Sequence, residues 1–314
     1  MDEKPSPEAS LETRLGSGKS MENSPIHEAA QDAGTMNQEY LEHFRRDGVA
    51  VIRNVFGDDD ISALKSAFEA VRAEGMQLRA SYRHQNVLFR LSQDANLGNT
   101  LRLVQWPSYF NDVLNRYRLD RRMLGIVEPL IGDDVKQIIN QMHWKPPGAA
   151  QSSFGYHQDI WFRRPRQAYR NPATAFVQSG IAIDPQSAAN GAMTFCPGSH
   201  LLGELSIDDH GRVMDRDMKA ADLAQFGLSE DATITLDMNP GDVAIWSLYT
   251  VHGSGINRST GDRRFYLNGY VSAADCDRGE WAFRDGKPCT LGDPALVHYD
   301  DLYRHPDPHY VDER

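Results

Sequence analysis

In this 314-residue chain the segment Tyr156-His157-Gln158-Asp159 carries the residue types most able to do chemistry together. In an extended strand, residues i and i+2 project to the same side, so the imidazole of His157 and the carboxylate of Asp159 converge on one point that a metal ion could occupy. A third ligand has to come from another element. His252, which follows the strand-like run Val243 to Leu248 and precedes Gly253-Ser254-Gly255, is the preferred candidate, with His143 and His200 as rivals. Two histidines and one carboxylate form the facial set of non-haem Fe(II) oxygenases. Three ligands on one face leave the remaining positions to a bidentate 2-oxo acid and O2.

Such an oxo acid brings a distal carboxylate, which is best held by a permanently charged planar donor that makes two parallel hydrogen bonds. Arg263 stands 11 residues after His252 and meets that need, and Arg264 is its close rival. Strand register decides between them: Arg263 shares a face with Phe265 and Leu267, and Arg264 with Tyr266 and Asn268, which favours Arg263. Gln141 and Lys145, four apart in a predicted strand, lie on one side and could reach the cosubstrate or the substrate, although a lysine on a barrel rim in water reads the same. The run Arg163, Arg164, Arg166 and Arg170 follows the His-x-Asp motif at once; it could grip an anionic substrate or be a solvated loop. Trp106, Tyr109 and Phe110 could wall a pocket, yet aromatic clusters of this kind are more often plain core.

The elements that must position these groups read as follows. Residues 1–35, rich in Glu, Ser, Pro, Gly and Lys, read as a disordered tail. Tyr40, Leu41 and Phe44 mark a helix that turns at Asp47-Gly48 into the β-branched run Val49 to Ile52. An acidic start at Asp58, Asp59 and Asp60 opens a helix with a buried face of Ile61, Leu64, Phe68 and Val71. After a polar stretch, Leu119 to Leu130 predicts another helix, closed before the alternating segment Val135 to Trp144. Residues 36–132 are therefore expected to be helix-dominated. Beyond them, short β-rich runs recur at 175–183, 191–195, 233–236, 242–248 and 264–271, separated by turn signals such as Asn190-Gly191 and Pro240-Gly241. Many short strands of this kind predict a sandwich or barrel of the jelly-roll or cupin-like sort. The expected organisation is the tail, then one domain over 36–314: helix-rich to 132, a β core over about 133–273, and a C-terminal segment 274–314 that matches no motif.

Composition narrows the classes. A formal charge of −11 argues against a nucleic-acid surface, which needs Lys and Arg to neutralise phosphates. No apolar run approaches membrane-spanning length, and the three cysteines, Cys196, Cys276 and Cys289, show no paired spacing. The expectation is a cytoplasmic protein without a nucleic-acid or membrane partner. Oligomeric state cannot be read.

His157-Gln158-Asp159, His252 and Arg263 resemble the signature of the phytanoyl-CoA dioxygenase family of 2-oxoglutarate-dependent oxygenases. The resemblance extends, in the family's order, to Phe44-Arg45-Arg46-Asp47-Gly48-Val49, to Gln141 through Gly148, to Cys196-Pro197-Gly198-Ser199-His200 and to Pro240-Gly241-Asp242, and covers about residues 37 to 273. It implies a double-stranded β-helix, a distorted jelly roll flanked by helices (α+β, mainly β). It implies Fe(II) held by His157, Asp159 and His252, with 2-oxoglutarate and O2 as cosubstrates, the C5 carboxylate on Arg263, and Ser254 and Gln141 assisting by hydrogen bonds. His143 and His200 do not match the family's distal histidine. Asp159 matters for reaction type: related halogenating enzymes replace this carboxylate with Gly or Ala, so its presence implies hydroxylation. Desaturation, cyclisation or epimerisation of a natural product would use the same cofactors. A non-catalytic binding module on the same fold, and a cupin-like enzyme using Mn, Ni or Zn without oxoglutarate, are the readings from other classes.

Overall fold

A computed structural model describes residues 6–16, 39–150, 152–206, 218–292 and 307–311. In chain order the elements are α1 Pro7–Gly16, α2 Glu39–Asp47, β1 Val49–Ile52, α3 Asp58–Gly75, β2 Tyr82–His84, β3 Val87–Asp94, β4 Gly98–Gln105, α4 Asp112–Arg118, α5 Arg121–Ile131 and β5 Val135–Lys145. There follow β6 Phe154–His157, β7 Phe176–Ala182, β8 Met193–Phe195, α6 Ala220–Gln225, β9 Ile234–Thr235, β10 Val243–Trp246, β11 His252–Ser254, β12 Arg263–Ser272, β13 Glu280–Arg284, β14 Lys287–Pro288 and β15 His309–Tyr310.

The strands form two antiparallel sheets. The larger runs β1-β10-β7-β12-β5-β4-β3-β2-β15, with β13 and β14 attached beside β5, and the smaller runs β6-β11-β8-β9. Because side chains alternate, each strand of the large sheet has one outward and one inward set. The outward set packs on the helices: Phe68 of α3 lies against Trp144 of β5 with ring centroids 5.0 Å apart, and the hydroxyls of Tyr266 and Tyr270 donate to the carbonyls of Leu114 and Arg118 around α4. The inward set of Val49, Ala182, Ala244, Trp246 and Phe265 packs on Met193 and Phe195 of the small sheet. The helices have conventional starts. The Asn111 side chain accepts from the Leu114 amide, Asp120 accepts from that of Arg122, and α3 places Asp58, Asp59 and Asp60 at the positive end of its dipole. The fold is mainly β with flanking helices, a jelly roll of the double-stranded β-helix type.

Two expectations need correction. Within the stretch read as a disordered tail, Pro7–Gly16 is helical, its Leu11 is 1% exposed in the core, and Glu8, Glu12 and Arg14 bond to Tyr310, Tyr82 and Glu74. Composition averaged over 35 residues hides one short helix that owes its stability to tertiary packing; residues 17–35 of that tail lie outside the described residues. The helix-rich first half also contains the β2–β3–β4 meander. Its strands are buried on both faces in part, so alternation is weak, and its turn is held by Asp94 accepting from the amides of Asn96 and Leu97. At the far end, β13–β14 and β15 extend the large sheet, and residues 293–306 lie outside the described residues. Among the described residues no helix is long and apolar enough to cross a membrane.

Candidate metal and oxo-acid site

His157 closes β6, and His252 opens β11 directly opposite it in the antiparallel register, with ring centroids 4.3 Å apart. Gln158 keeps extended backbone (φ −112°, ψ 134°) before the 3-10 turn Asp159–Phe162, so Asp159 stays on the side of His157 while the Gln158 side chain points away to Gly203, Leu205 and Tyr249. One ligand atom from each of His157, Asp159 and His252 lies within 4.8 Å of the others. The tautomers are set by the backbone. Nδ1 of His157 faces the Gly155 carbonyl at 2.8 Å and Nδ1 of His252 that of Thr250 at 2.9 Å; a carbonyl only accepts, so each Nδ1 carries a proton and Nε2 is the atom each ring can offer a metal. Burial, followed by the neighbouring His157, pushes His252 down to about 4, which keeps it neutral at physiological pH. Asp159 goes the other way: burial raises its pKa, but His252, Arg163, His157 and a Trp246 hydrogen bond outweigh it and hold the carboxyl below its ordinary value. Two imidazole nitrogens and one carboxylate are a donor set that suits a divalent ion.

On the inward face of β12 and β5, Arg263 pairs with Lys145, Phe265 with His143 and Leu267 with Gln141. Arg263 is 4% exposed; its Nε donates to Gln186, and its Nη2 is buried without a partner. Burial lowers its pKa to about 10. Lys145 is 1% exposed and donates to Ser254 Oγ (2.7 Å), the Gly255 carbonyl (2.6 Å) and the Gly191 carbonyl (3.3 Å). Burial, then the charges of Arg263 and Arg102, push it down to about 6, although three acceptors favour the ammonium. A buried arginine with an unused donor is costly unless an anion joins it, and a carboxylate that reached Arg263 beside Lys145 would also draw a proton onto the amine. Arg264 faces outward: it grips Asp184 through Nε and Nη2, both at 2.8 Å, and reaches Glu69 at 2.7 Å.

Gln141 lies on the inward face with its amide oxygen 3.0 Å from His143 Nε2, so His143 belongs to that row rather than to the ligand cluster. Burial, then Arg263, Arg102 and Lys145, hold His143 near 3. His200 sits elsewhere, its Nε2 3.2 Å from the Arg45 carbonyl. Of the arginine run, Arg166 pairs with Glu204, Arg170 with Asp277 at 2.8 Å, and Arg164 bonds the Arg163 carbonyl, whereas Arg163 is buried. Trp106 is 2% exposed in the core, and the Tyr109 hydroxyl donates to Glu280 at 2.6 Å.

The family model described as Phytanoyl-CoA dioxygenase (PhyH) matches residues 44–265. The chain belongs to the phytanoyl-CoA dioxygenase family. It is therefore a 2-oxoglutarate-dependent non-haem iron dioxygenase, with Fe(II), 2-oxoglutarate and O2 as its cofactor and cosubstrates. Among individual relatives it is 28% identical over 182 residues to a probable alpha-ketoglutarate-dependent hypophosphite dioxygenase of Stutzerimonas stutzeri, across 55% of this chain and 58% of that protein. It thus spans little more than half of that relative's length. It is 25% identical to human peroxisomal phytanoyl-CoA dioxygenase over 247 residues, 78% of this chain and 71% of that one. In fold it is similar to SnoK, a non-heme alpha ketoglutarate dependent carbocyclase from nogalamycin biosynthesis, with a TM-score of 0.60 at 18% identity over 84% of this chain and 98% of that one.

The groups that sequence reasoning missed stand behind Asp159 and Arg263. Trp246 Nε1 (2.8 Å) and Gln178 Nε2 (3.1 Å) both donate to Asp159 Oδ2, and Gln186 steadies Arg263. A glutamine in the largely apolar strand Ala175 to Ile183 was the available signal, since a buried amide needs a partner. Gly269, opposite Gln178 in the register, makes room for it: a Cβ there would fall 2.0 Å from the Gln178 amide oxygen.

Proposed function

We propose that the chain hydroxylates an unactivated C–H bond of a small, anionic molecule, coupling this to conversion of 2-oxoglutarate and O2 into succinate and CO2. In this reading Nε2 of His157, Nε2 of His252 and the Asp159 carboxylate hold Fe(II), and Arg263 receives the distal carboxylate of 2-oxoglutarate. Lys145, Ser254 and Gln141 assist from the same face. When bound, the iron supplies the oxidant for C–H cleavage; the chain's own residues supply orientation and exclusion of water.

The observation that carries this proposal is the pairing of a three-ligand cluster with a buried arginine whose Nη2 has no protein acceptor. Trp246 and Gln178 fix the Asp159 carboxylate by two hydrogen bonds, and the backbone carbonyls of Gly155 and Thr250 fix the imidazoles, so the seat is built before any ion arrives. Support for an anionic substrate comes from Arg163, which is buried with Nε and Nη2 unpartnered while Arg263 is given to 2-oxoglutarate; the relative named for hypophosphite, an oxyanion, agrees with it. The reading takes residues 36–314 as one catalytic domain working in the cytoplasm, where the buried, unpaired Cys196 and Cys276 would stay reduced.

The test is oxoglutarate binding by calorimetry to the anaerobic, iron-loaded protein. Micromolar binding in the wild type that weakens at least about a hundredfold in Arg263→Met supports the assignment. Equal affinity in both rejects it.

A further inference from the structure

Arg163 is the one member of the 163–170 arginine run that the fold buries and leaves without an acceptor. It follows the 3-10 turn Asp159–Phe162, four residues after Asp159, and is 1% exposed. Its Nε and Nη2 are both fully buried and neither has a hydrogen-bond partner. These two atoms form one edge of the guanidinium, with their N–H bonds parallel, and that edge is the one that takes a carboxylate or a tetrahedral oxyanion in two simultaneous hydrogen bonds. The neighbouring arginines are spent otherwise: Arg166 on Glu204 and the Ile160 carbonyl, Arg170 on Asp277 and the Ala274 carbonyl. Asp159 is no substitute partner, because it makes no ion pair with Arg163 and its Oδ2 is engaged by Trp246 and Gln178.

We infer that the Nε/Nη2 edge of Arg163 is a second anion seat, distinct from Arg263, that holds an oxyanion group of the substrate beside Asp159. The inference rests on the dioxygenase reading for the word substrate; the seat itself is a property of Arg163. The 3-10 turn Asp159–Phe162 folds the chain back, with the Arg163 amide donating to the Ile160 carbonyl at 3.1 Å, so Arg163 stays within about one turn of Asp159. A buried guanidinium with an open fork is retained at a desolvation cost that an entering anion would offset, and the two parallel donors would also fix the orientation of the group they hold. A substrate so anchored is an organic acid or a phosphorus oxyacid.

The probes are acetate and inorganic phosphate, titrated under anaerobic conditions into the protein with and without Fe(II) and saturating 2-oxoglutarate, and read by the fluorescence of Trp161 and Trp246. Saturation of Arg263 by oxoglutarate leaves Arg163 as the seat to be read. The wild type is expected to bind at least one probe, and Arg163→Gln to weaken that binding about tenfold or more. Arg163→Lys keeps a point charge without the fork, so it should retain part of the phosphate binding and lose that of acetate; it also serves if the glutamine variant does not fold. Arg166→Gln should behave as the wild type. Preference for acetate marks a carboxylate substrate, and preference for phosphate a phosphorus oxyanion. Probe binding equal in the wild type, Arg163→Gln and Arg163→Lys overturns the inference, because the anion then sits on the metal or elsewhere; so does the same loss in Arg166→Gln, and so does failure of the wild type to bind either probe. Wild-type conversion of oxoglutarate is measured separately. Its absence removes the dioxygenase reading, whereas intact conversion without an Arg163-dependent difference removes only the anion seat.

Discussion

The two faces of β12 carry neighbouring arginines with opposite fates. On the outward face Arg264 meets Asp184 and Glu69, and the Tyr266 hydroxyl contacts Ser108, Asn140 and the Leu114 carbonyl, so charge and hydrogen bonds are largely settled within the protein. On the inward face Arg263 and Lys145 lie side by side, and among the described residues neither has a carboxylate in ion-pair range. Surfaces of the first kind hold a fold together. Surfaces of the second kind are left incomplete at a cost in stability and are completed by a ligand.

Exchanging the two arginines' roles gives the largest expected effects. Arg263→Met should reduce 2-oxoglutarate affinity at least about a hundredfold, with a melting temperature unchanged or higher, because it removes a buried cation that has no anion. Arg264→Met should leave affinity near the wild type and cost on the order of 2 kcal/mol by denaturant unfolding, since it removes the bidentate partner of Asp184 and leaves that carboxylate the Arg264 amide and Lys65 at 4.0 Å. If both variants lose affinity alike, the contrast between the faces is wrong. Next in size is Trp246→Phe, which removes one of two hydrogen bonds to Asp159 and should weaken Fe(II) binding about tenfold, read by competition with a chelator. An unchanged iron affinity would show that Gln178 alone orients the carboxylate.

A smaller effect is a pH dependence. The Lys145 amine is held near 6 in the free protein by burial and by the charges of Arg263 on β12 and Arg102 on β4, while Ser254, Gly255 and Gly191 present neutral acceptors. An incoming carboxylate raises that pKa. Binding of 2-oxoglutarate at pH 7.5 should therefore take up a proton, affinity should fall severalfold as pH rises from 6 to 8, and Lys145→Met should flatten the slope. Calorimetry in buffers of different ionisation enthalpy reads the proton directly; no uptake in the wild type would place the anion away from Lys145.

Much of this contrast was legible in the sequence, and the reasons are physical. The spacing of His157 and Asp159 works because Gln158 keeps the chain extended into the turn, and the choice between Arg263 and Arg264 follows from a period of two, which β12 obeys against β5 through the Arg263 to Gly269 register. What was not legible depends on contacts between distant segments. Helix α1 is short and polar, and only its seat under Leu11 reveals it. The β2–β4 meander lacks alternation because neither of its faces is fully solvent-exposed. Trp246 and Gln178 meet Asp159 only when β10 and β7 lie side by side, with Trp246 opposite Gln178, and no local pattern announces that.

The most direct test of the central claim is succinate formation from 2-oxoglutarate and O2 by the iron-loaded protein, with His157→Ala and Arg263→Ala alongside. The account predicts slow, substrate-independent succinate release by the wild type that both substitutions abolish. A wild type that neither binds nor converts oxoglutarate at millimolar concentration, with iron bound, would contradict it.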